Sequence, residues 1–199
     1  MGKRALLVGL GDSLTYGWMV ERGYLDFLED MIRQRYSRAN FRIINSGVPG
    51  GSAEEGLRRL ERDVIEYNPS CVIVQFALND LFDGCGLNRF TKNMKEIVEQ
   101  ISSKTEAEIV IATSVPLPEP ADVQAAFFYG LLKELAEEQA LPFVSVHEHL
   151  KRAVKRASGE KLVLDDGIHP TQAGCRYMAE AVMEVFHDDE RASGGRQFD

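Results

Sequence analysis

Cysteine is scarce in this chain, and what there is does not pair. Cys71, Cys85 and Cys175 form no CxxC motif and no metal-ligand spacing, and an odd count suits reducing conditions, so neither a disulfide framework nor a thiolate metal centre is expected. Positive charge is outnumbered too. With 23 Lys and Arg against 31 Asp and Glu the net charge is −8, which argues against a nonspecific nucleic-acid or anionic-membrane binder. No apolar run is long enough to cross a bilayer, and Met1-Gly2-Lys3-Arg4 leads straight into a strand-like stretch rather than a signal peptide. A cytoplasmic protein without integral membrane association is expected. Met1-Gly2 is no myristoylation start, because Leu6 stands where serine or threonine is required. Internal repeats and low-complexity blocks are absent as well.

What the 199 residues do contain is β-α alternation, in a composition of 44% hydrophobic and 27% charged residues that suits one globular domain. The domain is expected over 1–187, followed by a polar, frayed tail over 188–199. Short apolar runs read as buried strands at Ala5–Val8, Phe41–Ile44, Cys71–Gln75, Ile109–Ala112 and Phe143–Val146. Between them, helical periodicity predicts helices near Tyr24–Tyr36, Phe90–Ser102 and Val123–Gln139. Ser52 and Glu55 form a capping box that opens a helix running to about Tyr67, and Pro170-Thr171 opens a last one to about Phe186. This alternation implies a parallel sheet covered by helices on both faces. Leu81–Asn88 and Pro116–Asp122 stand out as functional loops.

Ser13 is the first residue with chemical promise. Gly11-Asp12-Ser13-Leu14-Thr15-Tyr16-Gly17 follows the first strand, at the sheet edge where ligands of open α/β folds bind. Read alone, Gly-Asp-Ser is ordinary turn chemistry with the serine capping a helix. A serine becomes a nucleophile only beside a base that a third group orients. Both partners are present in Asp165-Asp166-Gly167-Ile168-His169-Pro170, where a carboxylate three residues before the histidine reaches its Nδ1–H and leaves Nε2 for a hydroxyl. His147 and His149, after Phe143–Val146, read as a strand exit or solvated loop, and His187 has no such neighbourhood either. No third ligand of suitable spacing makes a metal site of them.

Donors for an oxyanion are the remaining requirement. Val48-Pro49-Gly50-Gly51 follows the second strand, and the Gly50 N–H can approach a site closely. Phe76-Ala77-Leu78-Asn79-Asp80 follows the third strand, and Asn79 offers an uncharged amide donor. Arg58, Arg59 and Arg62 read as the solvated face of a helix, and Asp12 and Asp80 as turn-holding carboxylates. Cys71 reads as a small core residue and Cys85 as an exposed thiol near the site.

Taken in chain order, these blocks resemble the SGNH hydrolases, the GDSL esterase and lipase family, whose serine, glycine, asparagine and histidine match Ser13, Gly50, Asn79 and His169. Asp166 matches the family's triad acid. The resemblance covers Lys3 to about His187. Gly11–Gly17, Ser52–Leu60 and Asp165–Pro170 are most similar to the bacterial acyl-CoA thioesterase I, lysophospholipase L1 and arylesterase branch. It implies a flavodoxin-like three-layer α/β/α sandwich with a five-stranded parallel sheet. It also implies an oxyanion hole from Ser13, Gly50 and Asn79, and no cofactor. Where many relatives carry glycine two residues before the asparagine, this chain has Ala77, whose methyl would narrow the floor of the site.

Other readings fit less well. An α/β-hydrolase needs G-x-S-x-G, and the second glycine is missing. A flavodoxin-like nucleotide-binding module would want a G-x-G-x-x-G or P-loop motif and gives no reason for Asp166 and His169. The expectation is a serine hydrolase forming an acyl-enzyme on Ser13 from short- to medium-chain esters or thioesters, with a carbohydrate O-acetyl esterase as the alternative. Tyr16, Trp18, Leu78, Leu81, Phe82, Leu117 and Ile168 are expected to line the acyl site.

Overall fold

A computed structural model describes residues 5–36, 40–156 and 160–186. The tail over 188–199 and His187 lie outside these residues. Strands β1 (Ala5–Gly11), β2 (Phe41–Gly47), β3 (Cys71–Gln75), β4 (Glu108–Ala112) and β5 (Phe143–Val144) form one parallel sheet in the order β2-β1-β3-β4-β5. This is the flavodoxin-like order, and its switch point lies between β1 and β3. Helices α1 (Ser13–Tyr16), α2 (Tyr24–Arg35), α3 (Ala53–Arg58), α4 (Leu60–Asp63), α5 (Leu78–Phe82), α6 (Leu87–Lys104), α7 (Ala121–Glu138), α8 (Val146–Arg156) and α9 (Gln172–Met183) connect them. In one layer α9 packs on α2 and α8; in the other α6 packs on α3 and α7. Val8, Leu10, Val72, Ile73, Val74, Val110 and Ile111 are fully covered between the layers, as expected for parallel strands buried on both faces.

Pairing lengthens the first two strands beyond their apolar runs. Gly9, Leu10 and Gly11 stay in register with Asn45, Ser46 and Gly47, so hydrogen bonding carries both strands through residues without strand propensity. Gly11 is also in register with Gln75. The carboxyl ends of β1, β2 and β3 are therefore level, and the turns that follow them open onto one crevice.

Two expected elements differ. The strand expected over Phe143–Val146 ends at Val144, and Val146–Arg156 is helix α8. Ser145 caps it, its hydroxyl accepting from the Glu148 N–H at 3.3 Å, and Val146, Leu150 and Ala153 form its buried stripe. The Ser145-to-Glu148 spacing is itself a capping-box signal. His147 is thus a buried helical residue instead of part of a strand exit. The helix expected from Ser52 to Tyr67 starts with the predicted capping box, the Ser52 hydroxyl accepting from the Glu55 N–H at 3.4 Å and the Glu55 carboxylate from the Ser52 N–H at 3.0 Å. It then breaks at Arg59 (φ −103°, ψ 2°) into α3, α4 and a 3₁₀ turn over Ile65–Tyr67.

Candidate active site

The first strand delivers Ser13 at the N-terminus of the short helix α1. Asp12 caps that helix, accepting from the Leu14 N–H at 2.9 Å, and Gly17 ends it in a left-handed conformation (φ 84°). Thr15, one turn in, is buried and donates to Gln75 Oε1 at 3.1 Å, which ties α1 to the end of β3.

Arg59 braces this corner from below. Its guanidinium donates to the Gly11 carbonyl at 2.8 Å, the Ser46 carbonyl at 2.7 Å and the Asp63 carboxylate at 2.9 Å. The expectation of a solvated Arg58, Arg59 and Arg62 face is corrected here: the Arg59 side chain is 10% exposed, against 66% and 73% for the other two. The break after α3 turns Arg59 inward onto carbonyls at the ends of β1 and β2.

The second and third turns are joined to each other. Gly50 takes φ 78°, which costs a residue without Cβ nothing, in a turn closed by the Gly51 N–H and Val48 carbonyl at 2.9 Å. The Gly50 N–H has no hydrogen-bond partner among the described residues. Asn79, in the first turn of α5, donates from Nδ2 to the Gly51 carbonyl at 3.0 Å. Asp80 accepts from the Ala53 N–H at 3.0 and 3.2 Å, holding the start of α3. Asp12 and Asp80 thus occupy the turn-holding places expected for them. Ala77 carries φ 155° and is 1% exposed, packed in the core cluster beside the start of α5.

The fourth segment arrives from the far end of the chain. Between α8 and α9, Val163 bridges Pro170 in antiparallel fashion, and the His169 carbonyl accepts from the Leu164 N–H at 2.8 Å. Gly167 (φ 72°) reverses the chain between them. Asp166 Oδ1 accepts from the N–H groups of Ile168 at 2.9 Å and His169 at 3.0 Å. Its Oδ2 accepts from His169 Nδ1 at 2.7 Å, and His169 Nε2 lies 3.1 Å from the Ser13 hydroxyl. A hydroxyl, an imidazole and a carboxylate are therefore joined in series across 156 residues of sequence. Burial would raise the Asp166 carboxyl, but the Ile168 N–H, the His169 imidazole and the His169 N–H outweigh it and hold it down at about 2.

Asp12 moves the other way. Burial, aided by the Asp80 charge, pushes it up to about 7 despite the Leu14 N–H and Arg59, and its Oδ2 has no partner. Burial likewise lifts Asp80 to about 6. Cys85, expected as exposed, is half-buried, and burial and the Asp80 charge raise its thiol, which disfavours the thiolate. Cys71 and Cys175 are buried. No group of three His, Cys, Asp or Glu side chains among the described residues is arranged to hold a metal ion.

The expected lining divides by burial. Tyr16, Trp18 and Phe82 are exposed, with the rings of Tyr16 and Trp18 6.2 Å apart. Leu81 and Ile168 are half-buried against the core. Leu78 and Leu117 are 3% and 8% exposed and belong to the core, so they are removed from the lining: α5 turns Leu78 inward, and the β4–α7 loop does the same with Leu117. Exposed Met19 and Val48 lie on the same carboxyl-end connections, and nothing in their spacing separates a lining residue from an ordinary loop side chain.

The chain is 25% identical over 183 residues to an arylesterase of Vibrio mimicus, covering 89% of this chain and 86% of the relative. It is 22% identical over 178 residues to thioesterase 1/protease 1/lysophospholipase L1 of Escherichia coli, covering 87% and 79%. The solved acetylxylan esterase of Geobacillus stearothermophilus superposes with a TM-score of 0.81 at 19% identity, covering 92% of this chain and 94% of that one. Residues 10–177 match the model of the GDSL-like lipase/acylhydrolase family, and the chain belongs to that family of hydrolases.

Proposed function

We propose that this protein hydrolyses carboxylic esters or thioesters through an acyl-enzyme on Ser13. The observation that carries the reading is the series Ser13 Oγ, His169 Nε2, His169 Nδ1 and Asp166 Oδ2, with contacts of 3.1 and 2.7 Å. His169 takes the hydroxyl proton as Ser13 attacks the acyl carbon, then returns it to the departing alcohol or thiol. Asp166, ionised throughout, keeps the imidazole proton on Nδ1. In this reading the developing oxyanion is received by the N–H groups of Ser13 and Gly50 and by the second proton of the Asn79 amide, whose first is given to the Gly51 carbonyl. Water activated by the same histidine then releases the acid. No step calls for a cofactor.

The acyl group of this reading is short to medium in length. Exposed apolar side chains follow the ends of three neighbouring strands: Tyr16, Trp18 and Met19 after β1, Val48 after β2 and Phe82 after β3. Such a rim favours an alkyl chain, each buried methylene contributing at most about 0.8 kcal/mol. A carbohydrate O-acetyl esterase is the second reading, supported by the likeness to the acetylxylan esterase, which is 24% identical over 211 residues. p-Nitrophenyl esters of increasing chain length, assayed beside acyl-CoA and acetylated xylo-oligosaccharides, decide between them. We expect kcat/KM to rise several-fold from acetyl to butyryl or hexanoyl. A steady fall beyond acetyl with good turnover of the acetylated sugar would install the second reading. Failure of a fluorophosphonate to label Ser13 would reject both.

A further inference from the structure

A second Asp–His pair, this one buried, lies outside the chemistry described above. Asp122, 7% exposed at the start of α7, is surrounded by donors. Its Oδ1 accepts from the Leu117 N–H at 3.0 Å and from His147 Nε2 at 2.8 Å, and its Oδ2 from Lys151 Nζ at 3.0 Å. His147 is placed in turn from the other side. Its Nδ1 meets Glu148 at 3.0 Å, its ring lies 5.1 Å from that of Tyr129, and its backbone N–H donates to Thr113 Oγ1 at 3.0 Å.

This cluster connects both halves of the active site. Towards the nucleophile, the Thr113 carbonyl accepts from Gln75 Nε2 at 2.9 Å, and Gln75 Oε1 accepts from Thr15, two residues beyond Ser13. Towards the base, Asp122 grips the loop Pro116-Leu117-Pro118-Glu119-Pro120 at its Leu117 N–H. Proline at alternate positions restricts φ along that loop, so fixing Leu117 fixes Pro118. The Pro118 ring lies directly on Gly167, where a Cβ would come within 2.8 Å of Pro118 Cγ. Gly167 is the reversal point between Asp166 and His169. The remaining restraints on that turn described above are its own hydrogen bonds, whereas Pro118 presses on it from another element.

We propose that Asp122, held by His147 and Lys151, is a positioning residue that sets the Asp166–His169 turn against Ser13 through the Pro118 contact on Gly167. The proposal rests on the serine-hydrolase reading for its kinetic consequence. A buried carboxylate ringed by donors would serve as a loop anchor in any protein. What marks this one is that the loop it anchors ends on the turn carrying the base, while its partner His147 is bonded to Thr113, whose carbonyl holds Gln75 and, through it, Thr15 on the nucleophile's helix. A displacement of about 1 Å in such a turn is enough to lose up to about 10²-fold in rate.

The test compares Asp122→Asn, Pro118→Ala and the double variant with the wild-type protein on p-nitrophenyl butyrate, at a temperature well below every Tm. Each single variant is expected to lower kcat by about tenfold with KM within about twofold. The double variant should be no slower than the worse single one, because both act through one route. By proton NMR, the downfield His169 Nδ1–H resonance of the wild type should shift or broaden in both single variants. A merely structural anchor would lower Tm and leave kcat and that resonance in place, which overturns the proposal, as do multiplicative effects in the double variant. If Asp122→Asn does not fold, Pro118→Ala alone decides through kcat and the resonance. A wild type inert towards esters and fluorophosphonate refutes the hydrolase reading instead, and the resonance then tests the positioning role by itself.

Discussion

Replacing Asp166 by asparagine separates orientation from charge at the histidine. Asp166 uses both oxygens: Oδ1 receives two backbone N–H groups at 2.9 and 3.0 Å, and Oδ2 receives His169 Nδ1 at 2.7 Å. An asparagine must keep its carbonyl oxygen towards the backbone donors, since the flipped amide would set NH₂ against two N–H groups. Its NH₂ is therefore locked towards His169 and donates to Nδ1. That forces the imidazole proton onto Nε2, the atom 3.1 Å from Ser13, which can then no longer accept the hydroxyl proton. The loss should be on the order of 10⁴ in kcat, or about 5 kcal/mol in the barrier. Asp165 is the control. Its side chain is 99% exposed and pairs with Lys161, so Asp165→Asn should turn over within about twofold of wild type, as expected for surface substitutions. The assay is steady-state hydrolysis of p-nitrophenyl butyrate, with Tm measured alongside. An Asp166→Asn rate within tenfold of wild type, or a larger loss from Asp165→Asn, would refute the assigned tautomer.

Ser13→Ala removes one oxygen at a partly exposed position, so it should abolish fluorophosphonate labelling and lower kcat by up to about 10⁶-fold while leaving Tm unchanged; turnover near the wild-type level would reject Ser13 as nucleophile. Asn79→Ala should cost about 10² to 10³ in kcat with a smaller effect on KM. It also deletes the tether to Gly51, so a modest fall in Tm is expected, and a change in KM alone would make Asn79 a binding residue. Asp12 gives a pH signature. Its carboxyl, ordinarily near 3.8, is raised to about 7 by burial and by Asp80, so the folded state keeps a proton that the unfolded chain has already released. Stability should therefore fall as pH rises from about 4 to about 7. Asp12→Asn, which retains the Leu14 cap without the proton, should remove Asp12's share of that slope, and parallel Tm–pH curves for the two proteins would show the assignment to be mistaken.

Much of this protein is decided by local sequence. Apolar runs too long for turns and too short for helices specify strands buried on both faces, and their alternation with amphipathic stretches leaves a parallel sheet between helix layers as the architecture. Asp166 and His169 sit within one turn, and their contact follows from spacing alone. The same holds for the Ser52–Glu55 capping box. Tertiary structure decided what depends on distant partners. Ser13 meets His169 only because the sheet brings the end of β1 beneath a loop 156 residues later. Arg59 is indistinguishable from Arg58 in sequence, yet the break after α3 points it at the carbonyls of Gly11 and Ser46. Leu78 and Leu117 have the hydrophobicity of lining residues, but their elements turn them into the core. His147 was misplaced because an apolar run leading into α8 resembles the end of a strand, and its partner Asp122 lies on another helix. Periodicity and turn chemistry report a residue's immediate neighbours along the chain; which side chains face one another across the crevice is set by strand order and register, long-range properties that no short window of sequence contains.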